Sequence, residues 1–82
     1  MPYINIRKLE EDGDSADYRF GDDMKGQWGR LRLDKRSGKS ILLEPEPGDE
    51  KNRNFGAAAF VLSRHWRDGE FPQTTSYVSC SP

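Results

Sequence analysis

Cysteine and histidine are almost missing from this chain of 82 residues, which holds one of each, Cys80 and His65. A lone cysteine excludes an internal disulfide, so the fold is held by packing alone, and a reducing compartment is expected. Zinc sites need several Cys, His or carboxylate ligands at fixed spacings, and this pair offers no such set. No stretch approaches the ~20 apolar residues that cross a bilayer, and the first twenty residues contain no apolar run of the signal-peptide kind. Met1-Pro2 reads as a native start and the expected location is cytoplasmic. Charge of one sign is also lacking. The net charge of −1 gives no bulk attraction to nucleic acid or to anionic lipid. Walker A and GxGxxG phosphate-binding patterns do not occur, nor does any internal repeat. A calcium loop started at Asp12 would need Gly at its sixth position and Glu at its twelfth; the sequence has Asp17 and Asp23 there.

Apolar residues are sparse, 33% of the chain against 33% charged, with a mean hydropathy of −0.97. Two Trp, three Tyr and four Phe nonetheless argue for a folded chain. The length fits one small domain, residues 1–82, with 79–82 expected as a frayed tail. A domain of this size buries only roughly 60–65% of the surface exposed by its unfolded chain, so the core is expected to be thin.

Four strands are legible from alternation. In Tyr3 to Leu9, Ile4 and Ile6 share one face, and Asn5 and Arg7 the other. The acidic turn Glu10 to Asp14, with Asp-Gly inside it, leads to Ala16, Tyr18 and Phe20 alternating with Asp17 and Arg19. Gly21 to Gly26 is a connecting loop. From Gln27 to Asp34, Leu31 and Leu33 face one way, and Trp28, Arg30 and Arg32 the other; Gly29 marks a bulge or a close backbone approach. The loop Asp34 to Gly38, with Gly38 left-handed, returns into Lys39 to Glu44, where Ile41 and Leu43 are expected on the core side. Pro45 and Pro47 end that strand.

Beyond the polar loop Pro45 to Arg53, Asn52 or Asn54 is the expected N-cap of a helix. Phe55, Ala58, Ala59, Leu62 and Trp66 form one helical stripe, which Phe60 and Val61 widen; Gly69 is the expected C′ residue. Thr74 to Ser79 is a candidate fifth strand. The expected fold is α+β: a small antiparallel sheet of four or five strands, one helix on one face, and the other face in solvent or against a partner.

No catalytic constellation emerges. Ser63 and His65 point about 160° apart on a helix, and Cys80 lies in the expected tail. Two surfaces stand out. The hairpin 28–44 gathers Trp28, Arg30, Arg32, Lys35 and Arg36; Arg and Trp are frequent interface anchors, and also suit a nucleic-acid backbone. The loop after it carries Glu44, Glu46, Asp49 and Glu50, a candidate acidic patch for a basic partner. Against both stands the plainer reading of solvated charge, which keeps edge strands from aggregating. The functional expectation is a non-catalytic module that binds another protein, most concretely a bacterial or phage protein of the toxin-immunity type, by analogy of size and charge. Alternatives are a nucleic-acid-binding module built on the hairpin 28–44, and a small enzyme or enzyme subunit. No cofactor, metal or membrane partner is expected; self-association through the open sheet face is a further option.

Overall fold

The computed structural model describes residues 3–22 and 26–78. The expected tail 79–82 with Cys80, and residues 23–25 of the expected loop, lie outside the described residues. The chain runs β1 (Tyr3–Glu11), β2 (Ser15–Asp22), β3 (Gln27–Asp34), β4 (Ser40–Glu44), α1 (Arg53–Arg67) and β5 (Thr74–Val78). The first four strands form a meander, and β5 pairs antiparallel with β1, giving the order β4-β3-β2-β1-β5. The candidate fifth strand is therefore present. Because β4 and β5 lie at opposite edges, the connection must cross the whole sheet, and α1 makes that crossing in contact with all five strands.

Alternation decides which residues lie under the helix. Ile4, Ile6, Ala16, Tyr18, Phe20, Leu31 and Leu33 are buried against Ala58 and Leu62, with Phe55, Ala57, Val61, Phe71 and Tyr77 packed around them. The Phe20 and Phe55 rings meet at 6.0 Å, tilted by 47°. Tyr18 is fully covered and donates its hydroxyl proton to the Pro72 carbonyl at 3.0 Å. Burial pushes its phenol up to about 12. Phe60, expected to widen the apolar stripe, is instead 55% exposed, since its position on α1 falls beyond the arc that faces the sheet.

The β4 face assignment is corrected by the structure. Leu42, not Ile41 and Leu43, packs toward the core; Ile41 and Leu43 are exposed. Three consecutive apolar residues leave alternation ambiguous, and the turn settles it. Gly38, with φ +75°, donates to the Asp34 carbonyl, and the Asp34 amide donates to the Lys39 carbonyl. That closure sets Ser40 opposite Leu33, Ile41 opposite Arg32 and Leu42 opposite Leu31; Leu43 then falls in a bulge before Glu44 pairs with Arg30. Gly29 is a close approach: a Cβ there would sit 2.5 Å from the Phe20 ring and 2.8 Å from the Glu46 amide nitrogen.

Neither asparagine caps the helix by its side chain. Asn52 occupies the N-cap position in a left-handed conformation with no side-chain cap bond. The Asp49 carboxylate takes that role, accepting from the Arg53, Asn54 and Phe55 amides at 3.0, 2.9 and 3.4 Å. At the other end Glu70 donates to the His65 carbonyl and Gly69 to that of Trp66, a Schellman motif with Gly69 at C′ and φ +72°. Trp66 lies against Gly38 and donates its indole proton to the Lys35 carbonyl at 2.7 Å, tying the helix end to the β3–β4 turn.

Candidate functional site

The face away from α1 is read by pairing the outward positions across the strands. One row runs Glu44–Arg30–Arg19–Arg7–Thr74, from β4 to β5. Three arginines on three neighbouring strands thus stand directly opposite one another. The next row toward the β1–β2 turn is Ile41–Arg32–Asp17–Glu10, and the row on the other side is Trp28–Gly21–Asn5–Ser76. Like charges placed directly opposite in a sheet repel, so the arginine row is a cost to the isolated fold.

The partners of each arginine differ. Arg32 holds Asp17 with two bonds, Nε to Oδ1 at 2.8 Å and Nη2 to Oδ2 at 3.1 Å. Hydrogen bonding to Asp17 raises the Arg32 guanidinium above its usual value, and Asp17 is 5% exposed. Arg30 reaches Glu44 at a long 3.4 Å between two exposed side chains, a pair worth little. Among the described residues no carboxylate lies within ion-pair distance of Arg7 or Arg19. Arg19 stacks its guanidinium 4.2 Å from the centre of the Trp28 ring. The Nε atoms of Arg19 and Arg30 are shielded from solvent and have no hydrogen-bond partner among the described residues. A depression of about 150 Å³ lies at the Arg19–Arg7–Thr74 part of this row, with Arg7, Arg19, Trp28 and Thr74 in its lining. A larger hollow of about 530 Å³ beside the neighbouring row is lined by Glu10, Glu11, Asp12, Asp17, Ser15 and Arg32. The open face is therefore basic at its centre and acidic toward the β1–β2 turn.

The structure separates the residues singled out from sequence. Trp28, Arg30 and Arg32 do share the open face, and Ile41, opposite Arg32, joins them there; Leu43, in the bulge of the same edge strand, is exposed. Lys35 does not: its ammonium bonds the Glu11 carboxylate at 2.7 Å and lies 4.7 Å from the centre of the Phe71 ring. Arg36 is exposed at the hairpin tip. Glu44 sits on the rim beside Arg30. Glu46 is 6% exposed and both its oxygens accept from the Asn54 amide group at 3.0 Å, which removes it from any contact surface. Asp49 is spent on the helix cap, leaving Glu50 exposed in the loop. The acidic patch expected after β4 is thus mostly a device that fixes the loop to α1.

Two residues of the row, Arg7 and Arg19, were legible only as outward-facing polar positions; the pairing register is what sets them beside Arg30. Among the described residues no group of three or more His, Cys, Asp or Glu side chains is placed to hold a metal ion, and no helix is long and apolar enough to cross a membrane. Comparison with protein families, with curated proteins and with solved structures finds no match, so the site is read from its geometry alone.

Proposed function

We propose that this protein is a non-catalytic binding module that docks the open face of its sheet on another protein and acts by covering that partner's surface. The observation that carries the proposal is the uncovered face itself: Trp28 and Ile41 stand in the rows beside the arginines, Leu43 is exposed on the same edge strand as Ile41, and among the described residues only Arg30 of the arginine row has a carboxylate in reach. Aromatic and arginine side chains concentrate binding energy at protein interfaces, and the exposed Ile41 and Leu43 add apolar area next to them. Neutralising or regulating the partner by occlusion, as a toxin-immunity protein does, is the most concrete form of this reading. The hairpin as a nucleic-acid module has weaker support, because Lys35 is spent on the helix side and Arg32 on Asp17.

The test is affinity purification of the intact protein from its native host, followed by the same capture with Leu43→Glu and Trp28→Ala. Loss of one defined partner with both face variants, and its retention with Phe60→Ala on the helix side, is the expected result. A partner held equally by all four proteins would refute docking through the open face.

A further inference from the structure

We infer that the row Arg7–Arg19–Arg30 receives an acidic segment of the partner polypeptide, whose side-chain carboxylates lie against the guanidinium edges; the inference rests on the docking role proposed above. Three features of the row point to it. First, the three arginines face one another across β1, β2 and β3, and among the described residues only Arg30 has a carboxylate in reach, at 3.4 Å. An arrangement that repels itself in the free protein becomes favourable when an anion is set on it.

Second, Trp28 orients the central member. A guanidinium held over an indole, here with its central carbon 4.2 Å from the ring centre, is anchored by the ring, which offers it no hydrogen-bond acceptor and leaves its N–H donors for a ligand. The Nε atoms of Arg19 and Arg30 are shielded from solvent and, among the described residues, have no hydrogen-bond partner, so an incoming carboxylate meets the outer Nη edges of these groups. A carboxylate accepting from the edge of such a group makes the paired, charge-assisted bonds that arginine forms best.

Third, the basic track is short and fenced. Neighbouring strands lie ~4.8 Å apart, so three arginines span only about 10 Å. Glu44 closes the β4 end, and Glu10 and Asp17 occupy the adjacent row. A nucleic-acid duplex, whose strands each carry one charge per ~3.4 Å of helix axis, would carry its phosphates past the track onto those carboxylates. A peptide presenting two or three acidic side chains fits within it.

The experiment is a titration of the full chain with a hexaglutamate peptide at low salt, followed by NMR signals of the arginine Nε–H groups and the Trp28 indole. Saturable binding that shifts the Arg19 and Arg30 signals is expected. Arg19→Gln should weaken it tenfold or more. Trp28→Ala, which leaves the charge unchanged, should weaken it several-fold. Arg67→Gln, the same change of charge on exposed α1, should leave the affinity within about twofold. Absence of saturable binding, equal weakening by Arg67→Gln and Arg19→Gln, or tighter binding of a twelve-nucleotide oligothymidine would each overturn the inference. For a partner captured from the host, release by Leu43→Glu with retention by Arg19→Gln also overturns it but leaves the docking face standing. Retention by both overturns the docking face itself.

Discussion

Replacing Arg7 by glutamate should stabilise this protein, an unusual outcome for a single substitution. Arg7 is exposed on β1 and stands directly opposite Arg19 on β2, with Thr74 on its other side. Directly opposed Cα atoms in an antiparallel pair lie ~4.5–5.5 Å apart, and a cross-strand charge pair contributes about 0.2–1 kcal/mol with a sign set by the charges. Arg7→Glu turns one repulsive pair into an attractive one, a swing of roughly 0.5–2 kcal/mol. In a domain of this length each kcal/mol moves the melting temperature by about 4–8 °C. Arg7→Gln removes the repulsion without adding attraction and should deliver about half the gain; it also controls for the change of side-chain size. Thermal melts followed by circular dichroism at low salt should rank Glu above Gln above the native residue. At 1 M salt, where charges are screened within ~3 Å, the difference between Glu and Gln should vanish. If Arg7→Glu melts at or below Arg7→Gln at low salt, the row is not a self-repelling one, and the case for an anionic partner loses its first support. Should the stabilised variant also lose hexaglutamate binding, the arginines would stand as residues kept for binding at a cost in stability.

Other consequences concern how the face is supported. Asp49→Ala removes the side-chain acceptor of the Arg53, Asn54 and Phe55 amides, and should cost about 0.5–2 kcal/mol in denaturant titrations; Asp49→Asn should recover part of that, and an unchanged midpoint for Asp49→Ala would refute the capping role. Gly38→Ala would set a Cβ 2.5 Å from the Trp66 ring at a φ of +75°. Overpacking costs about 1–3 kcal/mol and the left-handed conformation about 1–2 more, so the variant should fall well below the native melting temperature while Gly56→Ala, in open space on α1, should not. Stability should also fall on acidification from about pH 5 toward 3, as measured by urea unfolding. Amide bonds from Asp14 and Ser15 hold the Asp12 carboxyl below its usual value, the Arg36 amide does the same for Asp34, and Lys35 and then Lys8 for Glu11. Groups with depressed folded values bind fewer protons when folded, so their contribution is present above the unfolded value of ~4 and is lost as pH falls through the folded one. The double variant Asp12→Asn/Asp34→Asn, which keeps an acceptor oxygen in each turn, should flatten that slope; a slope equal to that of the native protein would refute the assignment.

The sequence by itself determined the elements and the class of fold. Period-two alternation placed Ile4 and Ile6, then Ala16, Tyr18 and Phe20, then Leu31 and Leu33 on one buried face, and a helical stripe placed Ala58 and Leu62 above them. Those patterns are local, and each requires only that one side of an element meet apolar neighbours. Gly38 and Gly69 were legible for the same reason, since a turn and a helix end each need a left-handed residue at a fixed local offset. What alternation does not carry is register, nor the face of a strand whose residues are all apolar. Ile41, Leu42 and Leu43 took their faces from the closure of the Asp34–Lys39 turn and a bulge, contacts that no period announces. The cap came from Asp49 rather than an adjacent asparagine, because the loop folds back until that carboxylate meets three free amides. The candidate site has the same origin. Arg7, Arg19 and Arg30 are 12 and 11 positions apart in the chain, and only the pairing of β1 with β2 and of β2 with β3 sets them abreast. Sequence alone supplied three outward-facing arginines; the ladder of backbone hydrogen bonds, which fixes every cross-strand neighbour at once, made them a single charged row.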